Sequence, residues 1–236
     1  MSCCGIIVTF QPDNEIIENI VALSGQVDEI IIVDNASGDK YKSLFAHLND
    51  RFNLNIIYNE ENLGVAAALN IGVKIAKRDS YEWVMTFDQD SRVTPGMVVL
   101  MLGVYNDYPQ KDKVASLAPR FMDDRTGKIW GSRLVRGGAS QAYAKTNEVI
   151  TSGNLVKLSV FDRVGVFNEQ LFIDYVDNEV NELLFKLSQL NHFYKIQHLH
   201  QRLHQRLHQR QRLERLERLE RLERLERLER LERLER

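Results

Sequence analysis

The sequence predicts an α/β protein built on a Rossmann-like, mainly parallel sheet flanked by helices. In the first 90 residues, short apolar runs alternate with amphipathic stretches, the pattern of strands joined by crossover helices. Those runs are rich in Ile and Val with little polar alternation, as in strands buried on both faces. Each of the first four ends in polar residues, and in an open parallel sheet such ends collect along one edge.

The elements follow in order. Residues 5–10 form a first strand, and Pro12-Asp13-Asn14 supplies a turn and cap for a helix over 15–23. Residues 29–33 form the second strand, and Asn35-Ala-Ser-Gly-Asp39 turns the chain into a helix over about 40–52. A third strand is expected at 54–58, an Ala-rich helix at 65–77 and a fourth strand at 83–87. Thr94-Pro95 reads as an N-cap followed by proline at the first helical position, opening a helix to about Tyr105. Beyond it the pattern loosens: a strand at 114–118, a hairpin over 121–130 turning at 124–127, and loop over 136–145. A short helix at 158–164 ends at Gly165, and 178–190 reads as a last amphipathic helix.

The domain is expected to span residues 1–198, packed as one body, with 199–236 a low-complexity tail. Residues 213–236 are eight copies of Leu-Glu-Arg, preceded by an irregular His-Gln-Arg-Leu repeat. Leucines three apart advance about 300° per step, so they wind around a helix and leave no apolar face. The tail therefore reads as an artificial or mis-assigned ending without function. Outside residues 201–236 the chain carries 19 basic and 25 acidic residues, a net charge of −6 that argues against a nucleic-acid partner. The cysteines, Cys3 and Cys4, are adjacent, which suits neither a disulfide framework nor a metal knuckle. With no apolar run near the roughly 18 to 20 residues of a membrane span, and no signal-like start, the expectation is a soluble cytoplasmic body.

Chemistry is expected at the strand ends. Asp34 directly follows an apolar strand, where it can accept hydrogen bonds from a base or ribose, or cap the next helix. Asn62-Leu-Gly64 leads into a helix whose N–H groups suit a diphosphate, although such a glycine also serves as a plain turn. Asp88-Gln89-Asp90 places two carboxylates on one side if the segment is extended, a pair of hard ligands for Mg²⁺ or Mn²⁺ beside a diphosphate; the competing reading is a solvated acidic turn. Downstream, Asp174, Asp177 and Glu179 lie among apolar neighbours, where partial desolvation raises a carboxylate toward the range useful for a general base, while Asp177 and Glu179 also suit a first helical turn.

These segments together resemble the family 2 glycosyltransferases of the GT-A fold, in particular the bacterial rhamnosyltransferases of polysaccharide and O-antigen assembly. The resemblance spans about residues 6–194 and is carried by Val8-Thr-Phe-Gln-Pro12, Val33-Asp-Asn-Ala-Ser37, Asn62-Leu-Gly64 with Asn70-Ile-Gly72, Phe87-Asp-Gln-Asp-Ser91, Thr151-Ser-Gly153 and Phe172-Ile-Asp-Tyr-Val-Asp177. It implies that Thr9, Phe10, Gln11, Asp34, Asn35, Asn62, Gly64, Asp88 and Gln89 bind the donor, and that Asp88 and Asp90 hold Mg²⁺ or Mn²⁺. Ser152, Gly153 and Asn154 would border the acceptor, and Asp177 would be the catalytic base. The residue before that base is Val176, where the family commonly has an acid.

The implied activity is metal-dependent, inverting transfer of a sugar, rhamnose among the candidates, from a dTDP- or UDP-sugar to a carbohydrate or lipid-linked acceptor. The family pattern also has a histidine near the metal and C-terminal elements that meet the inner face of the membrane; here repeats follow, and His204 or His208 in them reads as solvated. The alternative is a module that binds nucleotide but, truncated, does not transfer. A nucleotidyltransferase is disfavoured for want of a Gly-rich basic loop near the N-terminus, and a dinucleotide oxidoreductase for want of G-x-G-x-x-G after the first strand.

Overall fold

The computed structural model describes residues 1–52, 54–123, 126–130, 143–146, 150–170 and 194–205. The chain divides into two units, Met1–Gln205 and Arg206–Arg236, so the first extends seven residues beyond the boundary expected at 198. The Leu-Glu-Arg tail, His208, the helix expected at 178–190 and Asp177 lie outside the described residues.

The first unit is an α/β body around a sheet of ten strands among the described residues. Strands β1 (Cys3–Thr9), β2 (Glu29–Asp34), β3 (Leu54–Tyr58) and β4 (Trp83–Asp88) are parallel, joined by helices α1 (Glu15–Ser24), α2 (Asp39–Asn49) and α3 (Val65–Arg78). β5 (Ser91–Val93) follows a tight turn, then α4 (Met97–Asp107), β6 (Val114–Asp123), β7 (Ile129–Trp130), β8 (Tyr143–Thr146), β9 (Asn154–Lys157), α5 (Leu158–Val164) and β10 (Tyr194–Gln205). The order across the sheet is β3-β2-β1-β4-β9-β6-β10-β5, with β7 on β6 and β8 on β10.

Strand alternation divides the core in two. Cys3 and Ile7 of β1, with Ile30 and Ile32 of β2, meet α1, α2 and α4; Cys4, Ile6 and Val8, with Ile31 and Val33, meet α3 and α5. Gly72 brings α3 onto β1, since a Cβ there would stand 2.5 Å from Ile6 Cγ2. Both thiols are buried and free, and burial raises Cys3 to about 12, which leaves them inert at neutral pH.

The four parallel strands and their three helices lie where the apolar runs place them, to within a few residues. Elsewhere the structure corrects the reading. Thr94-Pro95 is a turn, not a helix start: the Thr94 carbonyl accepts from Met97 N, Gly96 takes φ +73°, and α4 begins at Met97. Gln26 fixes that start from outside, with Nε2 donating to the Thr94 carbonyl at 3.1 Å and Oε1 accepting Val98 N at 3.2 Å.

The segments expected as a strand at 114–118 and a hairpin arm from 121 form one strand, β6. Pro119 is tolerated inside it because the pairing with β10 shifts register immediately after that position, between His198 and Arg202. The hairpin itself is present, with Phe121 opposite Trp130. Residues 143–145, expected as loop, belong to β8, and β5 and β9 were not anticipated. The histidine-bearing segment is a strand, with His204 in register with Arg92 of β5.

Candidate functional site

The parallel strands end on one edge, and the residues there bind one another. Asp34, closing β2, is 2% exposed and engaged from both neighbouring loops. Its Oδ1 accepts Thr9 Oγ1 at 2.8 Å and Ser37 Oγ at 2.5 Å, and its Oδ2 accepts Ser37 N at 3.0 Å. Ser37 Oγ in turn accepts Gln11 N at 2.7 Å, so the loops after β1 and β2 share one hydrogen-bonded cluster. Asp34 closes this loop and does not cap α2, whose N-cap is Gly38 without a side-chain bond. Gln11 and Ala36 hold φ of +46° and +62°, uncommon for non-glycine residues and clustered at functional sites when neighbours enforce them.

The network continues toward β3. Asn35 Nδ2 donates to the Gly64 carbonyl at 3.0 Å, while its Oδ1 accepts Asn59 Nδ2 at 2.8 Å. Asn62 Oδ1 accepts Gly64 N at 3.0 Å, holding Gly64 at φ +84° as the N-cap of α3. Among the described residues no side chain caps that helix, and first-turn N–H groups of this kind suit an anionic ligand.

At the end of β4, Asp88 closes the strand, and Gln89 and Asp90 form the turn into β5 rather than an extended segment. Alternation along a strand therefore does not bring the carboxylates together; a braced turn carries them, two residues apart in the sequence. Gln89 Oε1 accepts Phe10 N and the Gln89 carbonyl accepts Asn19 Nδ2, both at 2.8 Å. Asp88 N donates to Ser152 Oγ at 3.1 Å, and that hydroxyl donates to Ser91 Oγ at 2.7 Å. Gly153 N donates to the Thr86 carbonyl at 2.7 Å, and Thr86 Oγ1 donates to the Thr151 carbonyl, pinning the 151–154 segment beside β4.

Thr9, Asp34, Asn35, Asp88, Gln89, Asp90, Ser152, Gly153 and Asn154 thus come together along one edge, with Phe10 and Gln11 exposed above it and Asn62 and Gly64 beside it. Ser152 and Asn154 are each 1% exposed, and the Ser152 hydroxyl is engaged within the protein. Among the described residues, no group of three or more His, Cys, Asp or Glu side chains converges on a metal position. The pair Asp88 and Asp90 still fits Mg²⁺ or Mn²⁺, ions that accept one or two protein carboxylates and take other oxygens from phosphate and water. Asp177 lies outside the described residues.

Sequence reasoning gave no role to Asn19, Ser91 or Asn59. Asn19 had a signal, an amide at the core-facing spacing Ile16, Asn19, Ile20, Leu23; Ser91 and Asn59 are recruited only by tertiary neighbours.

Comparison with known proteins gives the context. The family model described as Glycosyl transferase family 2 matches residues 6–174. A dTDP-rhamnosyl transferase RfbF of Shigella flexneri is 30% identical over 187 residues, covering 74% of this chain and 60% of that protein. The chain thus spans about three fifths of that curated relative's length. GalNAc-T7, solved with UDP, GalNAc and Mn²⁺, superposes with a TM-score of 0.70 at 13% identity, covering 87% of this chain and 44% of that one. The mannosyltransferase PcManGT of Pyrobaculum calidifontis, solved with GDP-Man and Mn²⁺, superposes with a TM-score of 0.64 at 19% identity, covering 86% and 56%. At these identities the two structures speak for the fold alone, which is GT-A.

Proposed function

The chain belongs to glycosyl transferase family 2, and from that premise we propose that it moves a sugar from a nucleotide-diphosphate donor to a carbohydrate or lipid-linked acceptor, with inversion and with Mg²⁺ or Mn²⁺. The observation that carries the reading is the shared edge: the Thr9–Asp34–Ser37 cluster, the uncapped start of α3 and the braced Asp88–Asp90 turn stand at the ends of adjacent parallel strands.

In this reading Thr9, Phe10, Gln11, Asp34 and Asn35 receive the nucleoside, with Phe10 offering an exposed aromatic face. Asn62 and Gly64 present the start of α3 toward the diphosphate, where N–H groups favour negative charge. Asp88 and Asp90 hold the divalent ion, which when bound supplies positive charge against the leaving diphosphate. Ser152 and Gly153 keep the 151–154 segment against β4, so that Asn154 and its neighbours border the sugar and acceptor. Asp177 takes the proton of the acceptor hydroxyl. That oxygen then bonds to the anomeric carbon as the bond from carbon to phosphate oxygen breaks, and the nucleoside diphosphate leaves with the electron pair. Attack opposite the leaving group inverts the anomeric configuration.

The name of the Shigella relative makes dTDP-rhamnose the first donor to test, with UDP-sugars next. The test measures nucleoside diphosphate release and sugar transfer with and without Mn²⁺. Metal-dependent turnover is the expected result. Neither turnover nor metal-dependent nucleotide binding would sink the enzyme reading, and binding without turnover would favour the nucleotide-binding module.

A further inference from the structure

Helix α1 carries a residue that the proposed reaction leaves unused. Its buried side chains are Ile16, Asn19, Ile20 and Leu23, so an amide stands on the face that α1 turns to the core. A buried amide is costly unless its donors and acceptor are met. Asn19 is engaged through both polar atoms at the Asp88–Asp90 turn: Nδ2 donates to the Gln89 carbonyl at 2.8 Å, and Oδ1 accepts Arg92 Nε at 3.2 Å. Gln89 precedes Asp90 and Arg92 follows it by two, so one side chain grips the chain on both sides of that carboxylate. Arg92 is steadied by Glu18, with Nη2 and Oε2 2.7 Å apart, and Gln89 is held from the opposite side by Phe10 N.

We infer that Asn19 is a positioning residue for the divalent ion, fixing the main chain around Asp90 and so setting where that carboxylate stands relative to Asp88. The inference rests on the reading of Asp88 and Asp90 as the metal pair. Asn19 bonds neither carboxylate in the hydrogen bonds it makes to Gln89 and Arg92; it acts on the backbone that carries them. Partners one step outside a metal's ligands typically govern affinity by about 10- to 100-fold.

The test is a Mn²⁺ titration of the full chain, read by the electron paramagnetic resonance of free Mn²⁺ in the presence of dTDP, beside calorimetric dTDP binding without metal. Asn19→Ala and Asn19→Asp are the variants; the second keeps an acceptor for Arg92 but has no donor for the Gln89 carbonyl. Both should weaken Mn²⁺ by about 10-fold or more, with metal-free dTDP binding changed less than about twofold. Arg92→Met serves if the Asn19 variants do not fold, because Arg92 lies half-exposed at 42% of its side chain. Removing a positive charge should by electrostatics alone tighten Mn²⁺ binding, whereas loss of the brace weakens it. Unchanged Mn²⁺ affinity in folded Asn19 variants, or unchanged or tighter affinity in Arg92→Met, overturns the inference and leaves the metal pair standing. A parent chain whose dTDP binding ignores Mn²⁺ overturns the metal pair and this inference with it.

Discussion

From β3 to β4 the sheet is parallel, with β1 and β2 leading through helices to their neighbours and α3 carrying the chain from β3 back to β4 beside β1; from β9 to β5 it is mixed, assembled from strands that begin at residues 154, 114, 194 and 91. The first region buries long apolar runs on two faces and needs little outside help to find its register. The second is made of short pieces whose places depend on what lies beside them, such as β9 between β4 and β6. The division extends to the chemistry. The parallel region ends in the Thr9–Asp34–Ser37 cluster, which the proposed function assigns to the nucleoside, while the mixed region braces the Asp88–Asp90 turn through Ser152 and Ser91. Substitutions in the first should therefore fall on donor affinity, and substitutions around the second on turnover.

The largest effects should come from the groups assigned to the reaction itself. Asp177→Asn should lower transfer by about 10³-fold while sparing donor binding, and Asp90→Ala or chelation of the metal should cost a similar factor. Initial rates with dTDP-rhamnose or a UDP-sugar, beside donor calorimetry, check both. Normal transfer by Asp177→Asn would remove the base assignment.

Asp34→Ala should weaken donor binding by about 10- to 100-fold, the worth of a charged group's hydrogen bonds. Calorimetry measures it, and a loss confined to turnover would break the proposed division. Ser152→Ala should do the reverse, lowering transfer by about 10-fold with the donor Kd changed less than about twofold, because it loosens the turn without touching the nucleoside cluster. The smallest effect on function should be Gly72→Ala. Its Cβ would meet Ile6 Cγ2 at 2.5 Å, deep in the parallel region, so stability should fall by about 1–3 kcal/mol. Urea midpoints read that change, and donor affinity in the folded fraction should stay near that of the parent.

The parallel half was legible because burial on both faces leaves a plain imprint: Ile30 to Val33 can hardly be anything but a central strand. The polar residues that close its strands were legible too, since a residue at the end of such a run must lie on the carboxyl edge of the sheet. What the pattern did not disclose was how those residues are used. Asp34 had two readings, cap or ligand, and the structure removes the cap, because Ser37 and Thr9 reach the carboxylate while Gly38 takes the N-cap. For the Asp88–Asp90 pair the expected geometry was wrong, because a turn, not an extended strand, carries the two residues.

The sequence by itself determined the α/β class, the four parallel strands, the helices between them and the edge on which the polar residues gather. These follow from local periodicity and from the cost of exposing long apolar runs. Only the tertiary structure decided that residues 91–93 and 154–157 are strands, that β10 runs beside β6 and β5, and that Asn19 and Ser152 brace the acidic turn. Short segments have too little apolar surface to fix their own conformation, so hydrogen-bonding partners distant in sequence make that choice for them.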